Sequence, residues 1–136
     1  MKSKIDIIKY VVTLSDNWFK MEQLSDNTLE NHQYFNARYM VDMDFLTWLN
    51  NIEFDEEKIH SYLLNNFEEQ LKNNLKYFEE HHSWNEIYSA KCNEYSLLLS
   101  ILKKNYSPEF SIGGALIKNL YYHFFGKHMN NNVKTQ

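Results

Sequence analysis

Two Glu-x-x-His pairs, Glu57 with His60 and Glu79 with His82, come nearest to metal-site chemistry in this chain. A carboxylate and an imidazole three residues apart project from one face of a helix, and di-iron carboxylate bundles draw such pairs from two facing helices. Here both pairs fall on one helical stretch, 22 residues apart. At 1.5 Å per residue that separates them by about 33 Å, too far to share a site. No other stretch supplies a partner pair. The cluster Glu79-Glu80-His81-His82 lies where a helix ends, and the helix macrodipole favours histidine there without any catalytic demand.

Cys92 is the single cysteine, which excludes an intramolecular disulfide and a cysteine-based zinc site. With no specific basic setting to lower its pKa, it reads as a small buried hydrophobe. Gly113-Gly114 is followed by Ala115 within a helical pattern, not by the Lys-Ser/Thr of a phosphate-binding loop. Hydrolytic triads and dinucleotide fingerprints are also missing. The expectation is a chain without catalytic residues, metal or cofactor.

What remains is electrostatic. Among 136 residues, 14 Lys plus Arg face 18 Asp plus Glu, a net charge of −4. That is the wrong sign for broad phosphate neutralisation and excludes a non-specific nucleic-acid binder. The charge is also uneven. Residues 21–57 hold Glu22, Asp26, Glu30, Asp42, Asp44, Glu53, Asp55, Glu56 and Glu57 against Arg38 alone, a net of −8, whereas residues 1–20 and 105–136 are each +2 and residues 58–104 are neutral. Concentrated charge of one sign steers an oppositely charged partner and speeds association.

These acidic residues must be positioned by helices. Three glycines and one proline leave too little turn chemistry for an all-β fold. Ile5, Ile8, Val12, Leu14, Trp18 and Phe19 suggest a first helix over Lys4–Met21. The β-branched Ile7, Ile8, Val11 and Val12 would equally suit a strand. Ser25, Asp26 and Asn27 offer N-cap oxygens for a second helix over Thr28–Asn50, with a stripe of Tyr34, Ala37, Val41, Phe45, Trp48 and Leu49. Projected at 100° per residue, the far side of this helix carries Tyr39, Met40 and Met43 among polar residues. Adaptable apolar side chains in that setting suit an interface, or a central helix covered on both sides.

Asp55 caps a third helix, whose stripe is Ile59, Leu63, Phe67, Leu71, Leu75 and Phe78, with possible breaks at Asn65-Asn66 and Asn73-Asn74. Ser83-Trp84-Asn85-Glu86 has the form of a capping box starting a fourth helix. Ser107-Pro108 opens a fifth that Gly126 can close. The expected fold is therefore all-α: a single-domain up-and-down bundle of about five helices over residues 1–126, with a flexible tail over 127–136. Asp6 and Lys9 interrupt the apolar run a signal peptide would need, and no stretch reaches the ~20 apolar residues of a membrane span. A cytoplasmic protein is expected, and thirteen Lys to one Arg with 17 Asn is the codon bias of an AT-rich, bacterial type of genome.

The reading that follows is a small acidic inhibitory binding protein of the immunity-protein or antitoxin kind. It would neutralise a cognate toxin, nucleases included, by protein-protein binding to a basic surface, without direct nucleic-acid or membrane contact. The candidate partner-binding residues are Glu30, Tyr39, Met40, Asp42, Met43, Asp44, Glu53, Asp55, Glu56 and Glu57. The alternative is a self-associating helical regulatory or structural protein, a homodimer paired through the Tyr39, Met40 and Met43 face, without enzymatic activity.

Overall fold

The computed structural model describes residues 3–24 and 29–102, with the side chains of Leu29 and Glu30 excepted. These residues form four helices: α1 (Lys4–Leu24), α2 (Leu29–Asn50), α3 (Glu56–His81) and α4 (Glu86–Leu102). They pack together as an all-α bundle, with no strand among the described residues. The expected fifth helix, the Gly113-Gly114 pair, the 127–136 tail and the Ser25–Asn27 cap lie outside the described residues. No described helix is long and apolar enough to cross a membrane.

The closest-packed pairs are α1 with α2, α2 with α4, and α4 with α3. Trp18 near the end of α1 stacks on Phe35 near the start of α2, and Lys4 Nζ at the other end donates to the Ile52 carbonyl beyond α2, so the two helices are antiparallel. α2 and α3 touch through large aromatic side chains instead: Trp48 and Tyr62 stack with centroids 4.2 Å apart, and Phe45 lies 5.8 Å from Tyr62.

α1 is a helix, but its inward face differs from the expected stripe. Ile7, Val11 and Ser15 are buried; of the expected stripe Ile8, Leu14 and Trp18 are partly buried, with Ile8 and Leu14 packed against the core, while Ile5 is 63%, Val12 41% and Phe19 49% exposed. Apolar residues lie on several sides of α1, so periodicity alone leaves its rotation open by about one residue, or 100°. The buried face includes a serine, whose hydroxyl is satisfied by the Val12 carbonyl. α2 buries Ala37, Val41, Phe45 and Leu49 as expected, and Asp42 and Leu46 as well. A helix held between α1 and α4 is covered on two sides, so its apolar residues cannot form one stripe.

α3 runs unbroken through both asparagine pairs, and all six expected stripe residues are buried. Asp55 caps its start from an extended conformation, its Oδ1 accepting from Glu57 N and Lys58 N at 3.0 and 3.2 Å. His82 ends it at φ 61°, where its N–H donates to the Phe78 carbonyl. The capping box does not form. α4 begins at Glu86, and its cap is Asn85, whose side-chain oxygen accepts from Tyr88 N at 2.9 Å.

That later start follows from Asn74, which is fully buried on α3. Its Oδ1 accepts from Asn85 N at 2.8 Å and its Nδ2 donates to Ser89 Oγ at 2.9 Å. One amide thus places the first turn of α4, and Trp84 folds back 4.5 Å from Phe78. Asn74→Ala is expected to lower stability by about 1–3 kcal/mol, the effect of stranding two polar groups in a partly buried corner. Urea unfolding checks this, and Ser89→Ala, which strands only one, should lose less.

Candidate functional site

Three helices meet at a buried polar cluster built on Glu94 of α4, whose side chain is fully buried. Arg38 Nε of α2 donates to Glu94 Oε1 at 2.7 Å, and Trp18 Nε1 of α1 donates to Oε2 at 3.1 Å. The guanidinium lies over the Trp18 ring, 4.1 Å from its centroid, and Arg38 Nη1 donates to Tyr34 OH. Asn93 Nδ2 donates to the same hydroxyl at 2.9 Å. Each carboxylate oxygen of Glu94 therefore has a donor, as a buried charge requires.

Asp42 corrects the expectation of a surface residue. It lies one turn beyond Arg38 and is fully buried, no donor reaches either carboxylate oxygen, and its carboxyl faces that of Glu94, to which the protonated form can donate. Loss of water and the adjacent Glu94 carboxylate outweigh the attraction of Arg38 and push its pKa up to about 10. It is therefore protonated and neutral at pH 7. Fully buried, it presents nothing to a partner, and its hydroxyl form relieves the repulsion that two charged carboxylates would suffer.

The other candidate residues divide by location. Glu53, Glu56 and Glu57 are exposed at the corner joining α2 to α3, with Phe54 40% exposed among them. Asp55 is partly buried there and occupied by its capping bonds. Met40, Met43 and Asp44 are exposed on α2. Tyr39 is partly buried, 5.9 Å from Phe19 of α1. Glu30 belongs to α2, with its side chain outside the described set. The structure thus leaves Glu53, Glu56 and Glu57 exposed at one corner, sets Met40 and Asp44 in the wall of another cleft, and withdraws Asp42.

Two clefts accompany these residues. A shallow one of about 320 Å³ at the corner is lined by Glu56, Glu57, His60, Ser61 and Leu102. A larger one of about 550 Å³ lies where α2 and α3 diverge over α4, with Met40, Asp44, Gln70, Lys91 and Tyr95 among its walls. Among the described residues no three His, Cys, Asp or Glu side chains gather to hold a metal ion. His81 is engaged with Tyr77, its ring 3.9 Å away in a stack. Burial pushes the Cys92 thiol up to about 12, so it carries no reactive thiolate at neutral pH.

The buried cluster was the feature hardest to find from sequence. Its available signal was Arg38, the one arginine beside thirteen lysines. A planar guanidinium that can stack on an indole while donating to a carboxylate and a phenol does what lysine cannot. In sequence Arg38 reads as the lone base of an acidic segment, whereas in the fold its charge is matched by Glu94, 56 residues away. No family model matches the chain, and neither a curated protein nor a solved structure does.

Proposed function

We propose that this chain is a small acidic binding protein that neutralises a partner bearing a basic surface, of the immunity-protein or antitoxin kind, and that the α2–α3 corner is its main contact. The observation that carries this reading is the exposed Glu53, Phe54, Glu56, Glu57 tip, where carboxylates flank a partly exposed ring along the chain. Such a tip offers charge for steering and an aromatic anchor for a pocket on the partner.

Burial sharpens the charge argument. Within residues 21–57, Asp42 is neutral in the core and Arg38 is matched by Glu94. Setting both aside leaves eight acidic residues and no base, so the net of −8 in the sequence remains −8. A basic partner meets no repelling charge from this segment. The codon bias of an AT-rich genome supports the bacterial setting in which such inhibitors occur.

The test uses the product of a toxin-like reading frame next to this gene as the probe. The full chain should bind it and relieve its toxicity. Glu53→Lys with Glu57→Lys should slow association by roughly tenfold or more at low salt, with the difference fading at high salt, because steering is screened. Both residues are exposed, so the fold should hold, with only a small drop in melting temperature because Glu57 lies in the first turn of α3, where the helix dipole favours a carboxylate. Unchanged association by the folded double variant would remove the corner as the contact.

A second reading, self-association, has its own observation. Ile5, Val12 and Phe19 form an exposed apolar row at seven-residue spacing along α1, with Met43 exposed on the adjoining helix. Unburied apolar rows of this kind are found where chains pair. A salt-insensitive dimer mass by light scattering would favour it over the inhibitor.

A further inference from the structure

Two opposite charges line the larger cleft. Lys91 of α4 is partly buried on its floor, and Asp44 of α2 stands on one wall. Among the described residues neither makes a hydrogen bond or an ion pair. An ammonium in a cleft wall can bind an anion, because a carboxylate that reaches it makes a charge-assisted hydrogen bond. Gln70 of α3 adds an amide oxygen that has no hydrogen-bond partner, so turning this side chain into the cleft breaks no bond that the oxygen now makes.

The charges select the ligand class. A simple anion drawn to Lys91 is repelled by Asp44, and a simple cation drawn to Asp44 is repelled by Lys91. A molecule carrying both signs satisfies both. The walls also include Met40, Val41 and Ile87, apolar surface suited to a methylene chain whose two ends are polar. The volume of about 550 Å³ lies within the 300–1,000 Å³ range of small-molecule sites.

We propose that the cleft between α2, α3 and α4 binds a small zwitterion with a carboxylate at one end and a basic nitrogen group at the other, of which free arginine is the simplest form. The carboxylate sits at Lys91. The guanidinium sits at Asp44, where two parallel N–H bonds are available, and its remaining donors face the Asn66 and Gln70 amides. A polypeptide ending in arginine presents the same two groups and is the other natural source. The inference concerns a small-ligand site and does not depend on the partner reading.

The test titrates L-arginine, agmatine and Gly-Gly-Arg separately into the isotopically labelled full chain, following backbone amides by NMR. Arginine should shift resonances of the cleft segments of α2 and α4. Agmatine, which lacks the carboxylate, should bind about tenfold more weakly, the usual loss for a charge-assisted contact. In Lys91→Met the two should bind alike, while Asp44→Asn should weaken both. Tighter binding of Gly-Gly-Arg than of arginine assigns the ligand to a chain end, and weaker binding assigns it to the free amino acid. Absence of cleft shifts with millimolar arginine overturns the proposal, as does arginine binding that ignores both substitutions. The arginine-to-agmatine comparison on the unmodified chain keeps the test decisive if a variant fails to fold.

Discussion

Glu94→Ala is expected to cost about 3–5 kcal/mol of stability, the effect of breaking a buried ion pair by removing one partner. Its side chain is fully buried, and both oxygens are held by donors from other helices, Arg38 of α2 and Trp18 of α1. Alanine leaves an indole N–H with no acceptor, a cavity, and a guanidinium 13% exposed whose remaining carboxyl neighbour, Asp42, must first give up its proton to pair with it. Since small domains have only about 5–15 kcal/mol in total, the variant should be marginally folded. Urea unfolding with an unchanged m-value would isolate the stability term.

Two companion variants distinguish a charge effect from simple loss of volume. Glu94→Gln keeps the shape and one acceptor oxygen, but its amide presents N–H to a donor, so it should fall between wild type and Glu94→Ala. Arg38→Met combined with Glu94→Leu removes both charges, and it should be more stable than Glu94→Ala alone. A loss below about 1 kcal/mol for Glu94→Ala would mean that the cluster is not what joins α1, α2 and α4, since even a single hydrogen bond to a charged group contributes more.

Asp42→Asn should be more stable than wild type at pH 8, with the advantage shrinking as the pH falls. In the unfolded chain this carboxyl titrates at its ordinary value of 3.8, whereas in the fold burial beside Glu94 raises it to about 10. Between those values the folded state binds one proton that the unfolded state has released. The stabilisation tied to that proton is complete below 3.8 and is lost as the pH rises toward 10. The slope is about 1.4 kcal/mol per pH unit for one proton. Asparagine cannot ionise, and its N–H₂ still offers Glu94 a donor. The difference between the two stability-pH curves reads the group directly. Parallel curves would show that Asp42 titrates normally in the fold. The same burial explains why a lysine placed here would disturb the core instead of reversing a surface charge.

The helical content of this chain was legible in its composition, since so few glycines and prolines cannot support a sheet-rich fold. α3 was legible almost residue by residue, because it has one buried face and an unbroken 3.6 period. α1 and α2 were less so. Apolar residues surround α1, and α2 is buried on two sides, so neither offers a single stripe to read. Ser83-Trp84-Asn85-Glu86 has the local spacing of a capping box, but a buried asparagine from α3 holds Asn85 N and moves the helix start. The local cap shifts with it, to the Asn85 side chain on Tyr88 N.

The acidic surplus of residues 21–57 is a property of the sequence alone, because charge counts need no coordinates. Which of those charges meet the solvent is a different matter. Desolvation and the distance between charges exist only once the helices are packed, and they neutralise Asp42, join Arg38 to Glu94 and leave Glu53, Glu56 and Glu57 exposed at one corner. The cleft that places Lys91 and Asp44 in the walls of one cavity is likewise a product of packing. Periodicity and net charge depend on neighbours along the chain. Burial, pairing and cavity depend on neighbours in space, and those were set by how the four described helices fit together.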